Sequence, residues 1–112
     1  MLVTHVRIWR FDPAPAHEQE FAAAYASDGP WARLFNQADG FVGTILLAPE
    51  KTGGPWLTLD RWESLGAFER FQADQGEVYR TLDAALSHLT IDELFLGAFD
   101  ELPAGTGRGG ST

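Results

Sequence analysis

The chain has 112 residues, 45% of them hydrophobic, which suits one compact domain and leaves no room for a second. Eight basic and sixteen acidic residues give a formal charge of −8, which repels phosphate backbones and anionic lipid and makes nucleic acid a poor partner. Cysteine is absent, so disulfides, thiolate metal ligands and cysteine nucleophiles are excluded.

Residues 2–11 alternate Val3, His5, Arg7, Trp9 and Phe11 against Leu2, Thr4, Val6, Ile8 and Arg10. This two-residue repeat predicts a strand with one apolar and one mixed face. Asp12-Pro13 reads as a cap and first helical residue, with Glu18 and Glu20 near the positive end of the dipole and Phe21, Ala22 and Tyr25 as the buried stripe. Ser27-Asp28-Gly29-Pro30 breaks that helix, and Trp31, Leu34 and Phe35 share one face of a short restart. Asp39-Gly40 turns the chain into a second strand over residues 41–48, and the polar residues 49–55 form an exposed hairpin loop.

The stretch WLTLDRWESLGAFERF, residues 56–71, changes period partway. Trp56, Thr58, Asp60 and Trp62 alternate with Leu57, Leu59 and Arg61, which predicts a third strand over residues 56–63. From Ser64, a good N-cap, Leu65, Phe68 and Phe71 recur at helical spacing. Gly76 suggests a kink, after which Val78, Leu82, Ala85, Leu86 and Leu89 resume the stripe. Thr90-Ile91-Asp92-Glu93 fits a capping box, but the β-favouring residues 94–99 favour a turn into a last strand. From Pro103 the small, Gly-rich tail is expected to be disordered.

The order strand, helix, strand, strand, helix, strand is that of an α+β, ferredoxin-like βαββαβ domain over residues 1–102, with a flexible tail at 103–112. Both helices then cover one face of a four-stranded antiparallel sheet. Strand two offers Phe41, Ile45 and Leu47 on one side and Val42 and Leu46 on the other, while strand four offers Leu94 and Leu96 opposite Phe95 and Phe99. Large apolar groups on both faces imply a homodimer with sheets packed face to face. No apolar run is long enough to span a bilayer and MLVTHVRIWR lacks a secretory h-region, so a cytoplasmic protein without a membrane partner is expected.

If strands one and three are neighbours, His5, Arg7 and Trp9 share a face with Thr58, Asp60 and Trp62. An imidazole near a carboxylate can act as a general base, and Arg7 can hold an anionic oxygen. The structural alternative is an Arg7–Asp60 ion pair with His5 hydrogen-bonded beside it. Trp9, Trp31, Trp62, Phe68, Phe71 and Tyr79 are either core or the walls of a pocket for a planar ligand. His17 reads as solvated surface and His88 as a helix-end residue, and the three histidines lack a recognised metal spacing. No metal is expected.

Trp62-Glu63-Ser64 at a strand end, a helix with Ala67-Phe68-Glu69 and then Phe71, and Gly40-Phe41-Val42-Gly43-Thr44 upstream together resemble the antibiotic biosynthesis monooxygenase family of dimeric α/β barrels. The resemblance extends over residues 3–102. It implies a homodimer that oxidises a phenol or hydroquinone-type aromatic with O2, without cofactor. Of the site in the family's anthrone oxygenases, Trp62 matches the strand-three tryptophan. Thr58 stands where they have asparagine, Phe68 where they have tyrosine, and Asp83 near their helix-two arginine. The haem-degrading branch's asparagine, tryptophan and histidine correspond to His5 or Val6, Phe71 and Thr81, which speaks against haem degradation. On this reading His5 is the base, Arg7 holds the oxyanion beside Asp60, and Trp9, Trp31, Thr58, Trp62, Phe68 and Tyr79 bind substrate. The alternatives are a non-catalytic homodimer that binds an aromatic metabolite, and a structural or regulatory dimer without ligand.

Overall fold

In the computed structural model, which describes residues 3–104, the elements follow one another as β1 (Thr4–Pro13), α1 (Glu18–Tyr25), α2 (Pro30–Phe35), β2 (Phe41–Leu47), β3 (Trp56–Trp62), α3 (Leu65–Leu86) and β4 (Thr90–Glu101). Short 3₁₀ turns, Pro15–His17 and Ser87–Leu89, lead into α1 and out of α3. The strands form one sheet in the order β2-β3-β1-β4, with every neighbouring pair antiparallel. This is the α+β ferredoxin-like arrangement that the element order implies. No helix among the described residues is long and apolar enough to cross a membrane.

Alternation decides which side of the sheet the helices cover. Phe11 on β1 packs against Phe21 and Tyr25 of α1, with ring centroids 5.5 and 4.7 Å apart, so the row His5, Arg7, Trp9, Phe11 faces the helices. Opposite it on β3 runs Trp56, Thr58, Asp60, Trp62. Trp62 is fully buried, its ring edge-on to Phe35 and Phe41 and tilted against Phe71. These aromatic pairs each add about 1 kcal/mol beyond their buried area. Ser64 caps α3 as its residue type suggests, its Oγ accepting from the Ala67 N–H at 3.1 Å.

Several local expectations change. Asp12 and Pro13 extend β1 instead of opening a helix, because they pair with Asp92 and Thr90 of β4. At a strand end, a proline without an N–H costs no ladder bond. Thr90 accordingly begins β4 rather than a turn. α3 runs as a single 22-residue helix through Gly76, which does not interrupt it. The expected flexible tail lies largely outside the described residues, of which Pro103 and Ala104 are the last two.

The two-sided grouping of apolar residues changes as well. Register shifts fall at Phe41/Gly43 in the β2–β3 pairing and at Ile8/Trp9 in the β1–β4 pairing, where Gly97 and Phe95 oppose consecutive residues of β1. Gly97, with φ of 143°, takes a conformation that side chains rarely adopt, and Gly43 at 158° is near extended. Each bulge moves the residues beyond it to the other face. Phe41 therefore joins Leu46 against the core, and Phe95 turns toward the helices while Phe99 stays outside.

Gly40 sits at the turn into β2 with φ of 92°, and a Cβ there would lie 2.6 Å from the Ala67 Cβ. Gly53, with φ of 86°, has open space around it. Gly40→Ala should cost about 3 kcal/mol and Gly53→Ala about 1 kcal/mol, since only the first adds a clash to backbone strain. Urea denaturation of both variants measures the difference, and equal losses would remove the close approach to α3 as its cause.

Candidate functional site

Register brings the chemistry-bearing residues together. Arg7 lies opposite Asp60, Trp9 opposite Thr58 and His5 opposite Trp62, all on the helix-covered side. On its other flank β3 pairs with β2, which sets Thr44 opposite Asp60. The central carboxylate thus has a hydroxyl on one neighbouring strand and a guanidinium on the other.

The Thr44 hydroxyl donates to Asp60 Oδ1 at 2.7 Å. Burial pushes the Asp60 carboxyl up to about 6 from its ordinary 3.8, while the Thr44 bond and the Arg7 charge act against that rise. Arg7 does not close an ion pair with Asp60: its guanidinium carbon sits 3.9 Å from the Phe68 ring centroid and 4.6 Å from that of Phe95. The cation is therefore held between two π faces. Burial lowers its pKa, with Asp60 opposing, but an arginine stays charged.

Above this row the helices and sheet leave a hollow in two parts. One cavity of about 220 Å³ is lined by Tyr25, Trp31, Thr44, Thr58, Asp83 and Glu93, among others. Another of about 290 Å³ is lined by Arg7, Trp62, Phe68, Phe71, Gln72 and Arg80, among others. Trp9, Phe35, Asp60 and Tyr79 belong to both. An apolar cavity of about 150 Å³ already admits benzene, so each part takes an aromatic ring.

The lining is not uniformly apolar. Trp31 Nε1 and Trp62 Nε1 are buried donors without a hydrogen-bond acceptor among the described residues. The Tyr25 hydroxyl comes near enough to Trp31 to temper its own raised pKa, yet not within hydrogen-bond geometry. The Tyr79 phenol is pushed up to about 12, by burial first and then by the Asp83 charge. Glu93 is raised by burial, then by Asp83 and Asp92. One end of the hollow is thus acidic, the other carries Arg7 and Arg80, and Asp60 stands between them.

Of the residues singled out in the sequence, Arg7, Asp60, Trp9, Trp31, Thr58, Trp62, Phe68 and Tyr79 all line the hollow. His5 lines neither part. It is 7% exposed, its ring centroid is 6.1 Å from that of Phe68, and Nε2 has no partner. Burial and then Arg7 lower its pKa, so it rests neutral. The ion pair of the structural alternative is not formed, and neither is its His5 hydrogen bond. Sequence reasoning passed over Thr44, the one polar side chain in FVGTILL, and also Tyr25, Glu93, Gln72 and Arg80. An isolated hydroxyl in an otherwise apolar strand was the available signal for the first.

The fold has relatives among solved structures. SnoaB, a cofactor-independent oxygenase from Streptomyces nogalater, superposes with a TM-score of 0.59 at 24% identity, over 95% of this chain and 98% of that one. PA3566 from Pseudomonas aeruginosa gives 0.63 at 14% identity, over 92% and 97%. Rv0793 from Mycobacterium tuberculosis gives 0.64 at 17% identity, over 92% and 99%. No curated protein sequence matches the chain. The sequence model for antibiotic biosynthesis monooxygenase matches residues 4–76, which hold β1 through the first half of α3 and so most of the hollow's lining. The chain belongs to the antibiotic biosynthesis monooxygenase family.

Proposed function

We propose that the protein is a cofactor-independent monooxygenase acting on a phenol or hydroquinone-type aromatic bound in the hollow. The observation that carries this reading is Asp60: a carboxylate tuned to about 6, in the wall of both cavities, one of which Trp31 and the other Trp62 also lines with an unpaired indole. Near neutral pH such a group accepts a proton and still has the driving force to do so. Asp60 takes the proton of the substrate, and the resulting phenolate is electron-rich enough to pass an electron to O2. In a phenol with a free para carbon, that C–H and the phenolic O–H give way to the two C=O groups of a quinone: the ring supplies all four electrons, one oxygen atom enters it and the other leaves as water.

Arg7 stabilises the developing oxyanion from its place between Phe68 and Phe95, and the Trp31 and Trp62 N–H groups orient substrate oxygens. The aromatic walls keep water from the intermediate. His5 stands outside the lining, so the base role falls to Asp60. The cofactor-independent oxygenase activity of SnoaB supports the same reading. Thr58 and Phe68, in place of the asparagine and tyrosine noted above, favour the second reading, a non-catalytic binder of an aromatic metabolite. Oxygen uptake by metal-free protein with a panel of hydroquinones and anthrones separates the two: binding seen by tryptophan quenching without uptake leaves only the binder.

We further propose that the active form is a homodimer. Ile45 and Leu47 of β2 and Leu94 and Phe99 of β4 stand exposed on the face away from the helices, with Leu59 of β3 and Ile8 of β1 between the two edges, an apolar surface that a second sheet would cover. Light scattering should give twice the chain mass, and Ile45→Glu should give a folded monomer. A wild-type monomer at micromolar concentration would end this proposal.

Turnover per unit KM should rise with pH through about 6 as Asp60 ionises, then level off. Asp60→Asn should lower it about a hundredfold to ten-thousandfold, whereas His5→Ala should keep the rise near 6. Loss of that rise in His5→Ala, with Asp60→Asn still active, would return the base role to His5. Stability has the opposite slope: a carboxyl raised in the folded state contributes fully below about 4, and the contribution is lost as pH rises through about 6. Denaturation of wild type and Asp60→Asn across this window should show the slope in the wild type alone.

A further inference from the structure

We propose that His17, Glu20 and His88 form a binding site for a divalent zinc ion, on the surface and apart from the hollow. The three side chains each offer one donor atom, and these atoms lie within 4.8 Å of one another. Around a tetrahedral zinc with bonds of about 2.0–2.2 Å, donors stand roughly 3.4 Å apart, so small rotations of the side chains suffice. Two imidazoles and a carboxylate are a donor set that zinc favours, with water free to take the fourth position.

The placement of the ligands is fixed by backbone, not by the side chains alone. The Ala14 N–H donates to the Leu89 carbonyl at 2.8 Å, and the His17 N–H donates to the Ala14 carbonyl at 2.8 Å. Leu89, 2% exposed, anchors the residue next to His88 in the core. One backbone bond therefore holds the turn before α1 against the turn after α3, and the other closes the first turn on itself. His17 and Glu20, three positions apart at the start of α1, fall on one side of it.

The side chains already converge without an ion. His17 Nδ1 and Glu20 Oε1 are 2.7 Å apart, and the rings of His17 and His88 meet edge-to-face with centroids 5.2 Å apart. The metal takes the place of the His17–Glu20 hydrogen bond. His17 is only partly exposed and Glu20 and His88 are open to solvent, so the ion has a free entry path. Sequence spacing gave no sign of this group, because His88 is distant in the chain and arrives through the β1–β4 register.

Bound zinc would tie the start of α1 to the link between α3 and β4, and so would favour the folded state over the unfolded one. This does not rest on the oxygenase reading. The test is a calorimetric titration of zinc chloride into the chelator-treated full chain, with thermal unfolding measured at each zinc level. One ion per chain at micromolar zinc and a zinc-dependent rise in Tm are expected. His17→Gln and His88→Gln keep side-chain bulk and should each weaken binding by at least about tenfold, while leaving the zinc-free Tm near that of the wild type. Cobalt in place of zinc should give the visible absorption of a tetrahedral site, absent in His88→Gln. Absence of saturable binding, or binding in either glutamine variant as tight as in the wild type, would overturn the assignment.

Discussion

Asp60 carries a carboxylate into an aromatic layer, and the register of three strands is what makes that tolerable. An isolated ionised carboxylate in apolar surroundings costs several kcal/mol, and the group responds by holding its proton more tightly. Here the Thr44 hydroxyl reaches it from β2 and the Arg7 charge acts on it from β1, so the rise stops near 6. Both partners depend on strand pairing. Slipping β1 by one residue would turn Arg7 to the outer face and bring Val6 or Ile8 inward, leaving the carboxylate with one compensation instead of two.

The hollow persists for a related reason. Its rim is built from large rigid rings that meet edge-on: Phe35 against Trp62 and Phe71, Trp62 against Phe68. Such rings cannot flow into a gap as methionine or leucine would. Two indole N–H groups left without acceptors add a polar reason against collapse onto apolar neighbours. The opposed charges at the two ends then give the space a direction. A ligand with oxygen atoms at one end and none at the other has a preferred orientation, with its electron-rich end toward Arg7 and Arg80.

Much of this was legible in the chain because its signal is periodic. The alternation of β1 and β3 put His5, Arg7 and Trp9 on one face with Thr58, Asp60 and Trp62 once the two strands were taken as neighbours, while the register that sets Arg7 opposite Asp60 comes only from the pairing itself. Alternation fails where the backbone adds a residue, and the glycines at 43 and 97 mark such places without saying which face follows. The start of α1 was misread because Asp12-Pro13 has local capping chemistry, and a tertiary pairing with β4 overrode it. His5 kept its face but lies outside the cavity lining, since Phe68 of α3 forms the cavity wall near it, and helix placement over a sheet has no one-dimensional signature. Thr44, Asp83 and Glu93 come from three further elements, which only the assembled fold brings together.

α1 is the element on which the two sites meet. At eight residues it is too short to be stable by itself, so its position depends on what it touches. Its inner side buries Phe21, Ala24 and Tyr25, and Tyr25 is wall to the first cavity. Its first turn carries Glu20 beside His17, fastened through Ala14 to Leu89 in the turn after α3. Whatever firms that first turn also restrains the Tyr25 wall one and a half turns further on, because a helix this short moves as a rigid piece. The surface cluster and the hollow are thus mechanically in series, joined by backbone and by the packing of a single short helix.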